Sequence, residues 1–263
     1  MATPILELRG LIKTFGGVKA VNALDMTVND GEIHALIGPN GSGKTTTLNV
    51  ISGIYRANEG SVKFRGDEIS QLPAHTIAQR GITRTFQNIR LFPRLTVLDN
   101  VLIGRHTRLR TNFWMTLAPN PITALEEDTA RRNAHDLLAF VGLADRAQVR
   151  ASSLAYGDQR RLEIARALAA EPALLLLDEP AAGMNPTETD ALVKLLYQVR
   201  DRGVTLLLIE HDMNLVMAIS DRITVLNFGT HIAEGAAAEV SQNPDVITAY
   251  LGGPLDAGFA QTR

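Results

Sequence analysis

The chain reads as an α/β protein built on a parallel sheet, and three observations carry that expectation. Two continuous apolar runs, Ala173–Leu177 and Thr205–Ile209, have the length and composition of strands buried on both faces. Between them Leu192, Leu195, Leu196 and Val199 fall on one face of a helix that Gly203 ends. A third branched run, Ile33–Ile37, leads through a glycine-rich loop into a helical start at Lys44. Such alternation sets parallel strands side by side, with helices crossing over between them.

Taken in chain order, Ile5–Leu8 and Leu24–Val28 read as short strands, and Asn29-Asp30-Gly31 before Ile33 is a hairpin turn signal. Val62 and Phe64 alternate with polar neighbours in a further strand. Thr96 and Asp99 are spaced as a capping box ahead of a helix running to about Arg105. Arg108 to Pro121 has no clean period and contains Pro119, Asn120 and Pro121, so a loop or insertion is expected there. Within it Trp114 is either an exposed anchor for a partner or a locally packed ring. A helix follows from about Ile122, with Leu137, Leu138 and Val141 apolar and Gly142 as its stop. Leu215, Val216 and Ile219 continue the helical pattern before a strand at Ile223–Leu226.

Composition narrows the function classes. With 45% apolar and 21% charged residues the chain is ordinary for a globular protein, and its net charge of −2 gives no reason to expect a nucleic-acid partner. It has no cysteine, which excludes disulfides and thiolate metal sites. Glu7 interrupts the apolar start, so no signal peptide is expected, and no window approaches the roughly 18 uncharged apolar residues of a membrane span. A cytoplasmic protein that meets a membrane only through partners is expected.

Two motifs carry chemistry. Gly38-Pro39-Asn40-Gly41-Ser42-Gly43-Lys44-Thr45 fits G-x-x-x-x-G-K-[ST] in full. Its glycines let backbone N–H groups turn toward phosphate oxygens, Lys44 brings a cation to the β and γ phosphates, and the Thr45 hydroxyl can ligate Mg²⁺. Leu174-Leu175-Leu176-Leu177-Asp178-Glu179 is a buried strand ending in two carboxylates, at the end where phosphate loops also lie. Side chains alternate along a strand, so Asp178 suits Mg²⁺ and Glu179 suits polarising a water.

The residues around these motifs supply a family resemblance. Ser153-Leu154-Ala155-Tyr156-Gly157-Asp158-Gln159-Arg160-Arg161, followed by Leu-Glu-Ile-Ala-Arg-Ala-Leu, resembles the ABC signature and its helix. Gln87 in Thr85-Phe86-Gln87-Asn88 looks like the family's Q-loop, and His211 in Leu208-Ile209-Glu210-His211-Asp212 looks like its switch histidine. Phe15 stands where the family places an aromatic that stacks on adenine. Alone, a Phe of this kind would be core packing; the ordered set from residue 15 to 211 argues otherwise. The stretch Phe86-Gln87-Asn88-Ile89-Arg90-Leu91-Phe92 and the tail Asn243-Pro244-Asp245 with Ala249-Tyr250-Leu251-Gly252 are similar to the ATPases of branched-chain amino-acid uptake, of the LivG type.

The resemblance implies a P-loop NTPase fold. Residues 1–88 and 157–263 would form a RecA-like core with an antiparallel β subdomain, and 89–156 an inserted ABC helical subdomain ending at the signature. It implies an Mg-dependent ATP hydrolase in which Glu179 activates water and His211 holds the γ-phosphate. Thr46 would join the phosphate loop, and Gln87 would meet the metal and report to a permease. Two cassettes, identical or sister subunits, would sandwich two ATP molecules, with Ala155 and Gly157 contacting the nucleotide in trans. The partners implied are transmembrane permease subunits at the cytoplasmic face of the inner membrane and, indirectly, a periplasmic or extracellular solute-binding protein. The alternatives are a lipopolysaccharide-export ATPase or a soluble ABC ATPase acting on ribosomes or DNA. The chain departs from the usual L-S-G-G-Q at Ala155, Tyr156 and Asp158, and has Asn185 where the family often has Asp. Ala155 lacks the hydroxyl that would reach the γ-phosphate, which bears on the symmetry of the two ATP sites.

Overall fold

The computed structural model describes residues 3–105 and 121–251. All of the expected insertion 108–121 except its last residue, and Trp114 with it, lies outside them.

The chain opens with β1 (Pro4–Phe15) and β2 (Val18–Asn29), an antiparallel pair longer than the short strands expected. The apolar alternation of β1 breaks at Arg9 and Gly10 because the ladder shifts register there, with Gly10 at φ 54° and its N–H on the Asp25 carboxylate at 2.8 Å. The pattern ends at the bulge; the strand does not. β3 (Ile33–Ile37) is buried throughout, and α1 (Lys44–Ile51) follows the glycine-rich loop. β4 (Glu59–Phe64) and β5 (Asp67–Glu68) complete a four-stranded sheet in the order β2-β1-β4-β5.

Asn29-Asp30-Gly31 does turn the chain, with Gly31 at φ 77°, but it is not the hairpin expected from it. β2 lies in the four-stranded sheet and β3 in the other, so the turn passes the chain between sheets. The turn chemistry is local; which strand pairs next is not.

The middle is helical: α2 (Ala74–Gln79), the short β6 (Ile82–Arg84), α3 (Val97–Gly104), α4 (Pro121–Phe140) and α5 (Tyr156–Leu168). The capping box at α3 forms as the spacing predicts, Thr96 Oγ1 accepting from Asp99 N at 3.0 Å. α4 buries Ala130, Ala134 and Leu138, one residue per turn, and stops before Gly142 at φ 74°.

The last third alternates as expected: β7 (Leu174–Asp178), α6 (Pro186–Asp201), β8 (Thr205–Ile209), α7 (Met213–Ile219), β9 (Arg222–Asn227), β10 (Thr230–Gly235), α8 (Ala237–Ser241) and α9 (Pro244–Leu251). The second sheet runs β10-β9-β3-β8-β7-β6, parallel except for β10, which pairs antiparallel with β9.

Strand alternation splits the core in two. Leu175, Leu177, Leu206 and Leu208 point to one side, against α3 to α7, where Leu192, Leu195, Leu196 and Val199 of α6 are all buried. Leu174, Leu176, Leu207 and Ile209 point to the other, against α1 and the four-stranded sheet. The parallel sheet is thus a middle layer with both faces covered, which is why its strands read as unbroken apolar runs.

Candidate functional site

Because the inner strands run parallel, their carboxyl ends share one edge, and the candidate residues lie there. Gly38 follows β3, Glu179 follows β7, Glu210 and His211 follow β8, and Gln87 comes three residues after β6.

The loop 38–45 must be glycine at two points. A Cβ on Gly38 (φ 150°) would lie 2.1 Å from the Leu226 carbonyl oxygen, and one on Gly43 (φ 100°) 2.3 Å from that of Ala20. Lys44 is 5% exposed and folds over the loop, its Nζ donating to the carbonyls of Gly38 at 2.7 Å and Pro39 at 2.9 Å. Burial pulls the Lys44 ammonium below its usual range, opposed by the nearby carboxylates of Glu179 and Asp178. Ser42 Oγ is buried without a hydrogen-bond partner among the described residues, and Gly43, the N-cap of α1, gives the helix no side-chain cap. Asn40 and Thr45 are exposed and Thr46 is half-buried. An orphaned hydroxyl, an uncapped helix start and a buried cation suit a phosphate chain. Tyr250 on α9 backs the same loop; burial pushes its phenol up, against a hydrogen bond from the Gly38 backbone.

Asp178 and Glu179 have different surroundings. Asp178 is buried, and its Oδ2 receives Arg84 Nη2 at 2.7 Å. Arg84 also donates to Asn49 Oδ1 of α1 at 2.6 Å, so one guanidinium ties the carboxylate to the helix behind the loop. Glu179 leaves the strand in the left-handed region, φ 50°. Its Oε2 accepts from Gln87 Nε2 at 2.9 Å, and its Oε1 lies 2.6 Å from His211 Nε2. Gln87, expected at the metal, and His211, expected at the γ-phosphate, meet on one carboxylate because β6 and β8 flank β7.

No group of three or more acidic or histidine side chains suited to a metal occurs among the described residues. Thr45, Gln87 and the remaining oxygen of Asp178 fit Mg²⁺ in another way, since that ion takes few protein ligands and rests on substrate phosphates.

Not every expected residue joins this cluster. Phe15 ends β1, 43% exposed, with its ring centroid 5.1 Å from that of Tyr55 and Lys13 Nζ 5.1 Å above it. Ala155 and Gly157 open α5, where Gly157 packs on Glu188. Several residues were not foreseen: Arg84, Tyr55, and Glu210, whose carboxylate accepts the N–H of Ala181 at 2.7 Å and of His211 at 3.1 Å. Burial pushes Glu210 up. The signal for Glu210 was a charge at the end of an apolar strand, the same signal that marked Asp178; Arg84 ends the short Ile82-Thr83-Arg84 and had no such signal.

Known proteins resemble this chain in sequence and fold. A family model described as ABC transporter matches residues 21–182, and one described as branched-chain amino acid ATP-binding cassette transporter matches 230–256. The chain is 48% identical over 253 residues to BraF of Pseudomonas aeruginosa, a high-affinity branched-chain amino acid transport ATP-binding protein, covering 96% of this chain and 99% of that one. Its fold matches the ADP conformation of MJ1267, an ATP-binding cassette of an ABC transporter, with TM-score 0.82 and 31% identity, over 95% of this chain and 99% of that chain. It also matches MJ0796, an ATP-binding cassette described as dimeric in a post-hydrolysis state with ADP and Pi, with TM-score 0.74 and 27% identity, over 88% and 98%. The chain belongs to the ABC transporter family, as one of its ATP-binding cassettes.

Proposed function

We propose that this chain binds and hydrolyses ATP as one of two paired cassettes, and so drives a membrane importer of branched-chain amino acids or related solutes. The observation that carries this is the convergence of Gln87 and His211 on Glu179, 2.9 and 2.6 Å away, in the field of Lys44.

A carboxylate so held accepts the proton of an attacking water. Lys44 offsets charge on the β and γ phosphates, and the backbone N–H groups of loop 38–45 and the start of α1 bind their oxygens. Thr45, Asp178 and Gln87 would hold Mg²⁺, which when bound supplies further positive charge to the transferred phosphoryl group. Phe15 stacks on the base from its exposed face, and His211 reaches the γ-phosphate from its contact with Glu179. Ala155 and Gly157 serve the nucleotide of the second cassette, identical or sister; the dimeric MJ0796 supports pairing.

Residues 89–156 act as the helical subdomain on the core 1–88 and 157–263. In support, 89–156 holds no strand among the described residues, only one isolated bridge between Thr96 and Arg150. No helix among the described residues is long and apolar enough to cross a membrane. Permease subunits carry the solute and hold this chain at the cytoplasmic face, a reading that the likeness to BraF supports. The solute-binding protein acts through them. The likeness to BraF and the C-terminal match favour amino-acid uptake over lipopolysaccharide export.

The test is Glu179→Gln, with Lys44→Ala as control. Glutamine keeps the shape of the side chain but accepts no proton, so turnover should fall about 10²–10⁴-fold while ATP still binds. Light scattering with Mg-ATP should find the variant as a dimer, alone or with a sister cassette, and Lys44→Ala should neither turn over nor dimerise. Wild-type turnover by Glu179→Gln would remove Glu179 as the base.

A further inference from the structure

Gln87 and Glu179 lie on separate loops, and the hydrolysis proposed above gives no part to Tyr156 or Arg160. Yet these two side chains join the loops. Arg160 is 3% exposed, and its Nη1 donates to the Phe86 carbonyl at 2.9 Å. Its Nη2 donates to the Gln87 carbonyl at 2.6 Å and to Tyr156 Oη at 2.9 Å. A guanidinium only donates, so the single proton of the Tyr156 hydroxyl is left to point at the Ala182 carbonyl, 2.8 Å away. Ala182 N–H in turn donates to the Glu179 carbonyl at 3.2 Å, closing the turn that follows the carboxylate.

An unbroken run of hydrogen bonds therefore links the backbone of Gln87 to the backbone of Glu179. The Tyr156 ring completes it by lying on Gly183, where an added Cβ would sit 3.3 Å from the ring. Glu163, also buried, balances the guanidinium at 3.4 Å. A glycine at 156, as in the usual L-S-G-G-Q, could make neither the bonds to Arg160 and Ala182 nor the contact with Gly183.

We infer that Tyr156 and Arg160 are positioning residues: they hold the loop of Gln87 and the turn after Glu179 in register, so that the Gln87 amide stays on the Glu179 carboxylate. This rests on the assignment of Glu179 as the base. The strap acts in series, because either break frees both loops. It reaches the backbone of the residue that carries the reacting carboxylate and not the phosphate loop, so its main effect falls on turnover, with a smaller one on Mg-ATP binding through Gln87.

The experiment is steady-state ATP hydrolysis by the full chain, in the assembled transporter, for Tyr156→Phe, Arg160→Lys and the double variant, beside wild type and Lys44→Ala. Tyr156→Phe removes one hydroxyl and should lower kcat about 3- to 10-fold, a larger change than any in KM for Mg-ATP. Arg160→Lys keeps the charge but loses the planar fork that spans four acceptors, and should lower kcat at least as much. The double variant should be no slower than the slower single variant, the mark of a series link. Wild-type kcat in Tyr156→Phe, a raised KM at constant kcat, or penalties that multiply would each overturn the strap. If Arg160→Lys does not fold, Tyr156→Phe decides alone. Wild-type turnover insensitive to Lys44→Ala would instead overturn the hydrolysis mechanism itself, a separate result.

Discussion

Phe15 is 43% exposed at the end of β1, beside Tyr55 and under Lys13 Nζ, so its ring is a surface platform and not core filling. Replacing it with alanine should leave the fold intact, because little apolar area is lost from the interior. Nucleotide affinity should drop by about 1–3 kcal/mol, the worth of one base–aromatic stack. Stacking reads a π-face and not hydrogen-bond edges, so GTP should weaken in proportion. Calorimetric titration of ATP and GTP checks both, and an unchanged Kd would take Phe15 out of the site. Glu179 shows a second residue-scale effect. Its φ of 50° costs about 1–2 kcal/mol for a side chain with a Cβ, a strain of the kind found at functional sites.

Among the elements, α6 explains one departure from the family pattern. Asn185 is its N-cap: Oδ1 accepts from Glu188 N at 3.0 Å, and the Glu188 carboxylate accepts Asn185 N–H at 3.0 Å. Asparagine caps as well as aspartate does, so the departure keeps the helix start. Asn185→Ala should cost about 1 kcal/mol, and Asn185→Asp should stay near wild type. For a chain of this size that separates the two by about 2–4 °C in Tm by thermal melting. Equal melting of the two would show that the cap contributes nothing. Asn185 and Glu188 have the same three-residue spacing as Thr96 and Asp99, with Pro186 at the first helical position, so this cap too is written in the local sequence.

At the scale of the whole molecule, Glu32 joins the two sheets. Its carboxylate accepts the backbone N–H and the side-chain amide of Asn29, both at 2.9 Å, at the end of β2. It also meets His34 Nδ1 at 2.9 Å at the start of β3, and His34 Nε2 lies 2.8 Å from Thr224 Oγ1 of β9. Burial works to raise the Glu32 carboxyl, but the hydrogen bonds from His34 and Asn29 outweigh it and hold it below its usual 4.5. The fold therefore favours the ionised form. That contribution is complete above about pH 4.5 and is lost as pH falls through the lower folded value. Glu32→Gln should melt below wild type at pH 7, and the gap should close as melts are taken toward pH 3. A gap independent of pH would assign the joint to shape and not to charge.

Local order was written in local sequence. The loop 38–45, the apolar runs of β3, β7 and β8, the buried face of α6 and the cap of α3 each depend on residues a few positions apart, whose backbone geometry neighbours dictate. What only the tertiary structure decided lies between distant segments. Gln87 and Glu179, 92 positions apart, share a hydrogen bond because β6 pairs with β7, and Arg84 reaches Asp178 across the same pair. Asn29-Asp30-Gly31 changes sheets because β3 finds its partners in β8 and β9. Strand order is settled by which apolar faces bury together, a property of the whole chain, and no short window of residues contains it.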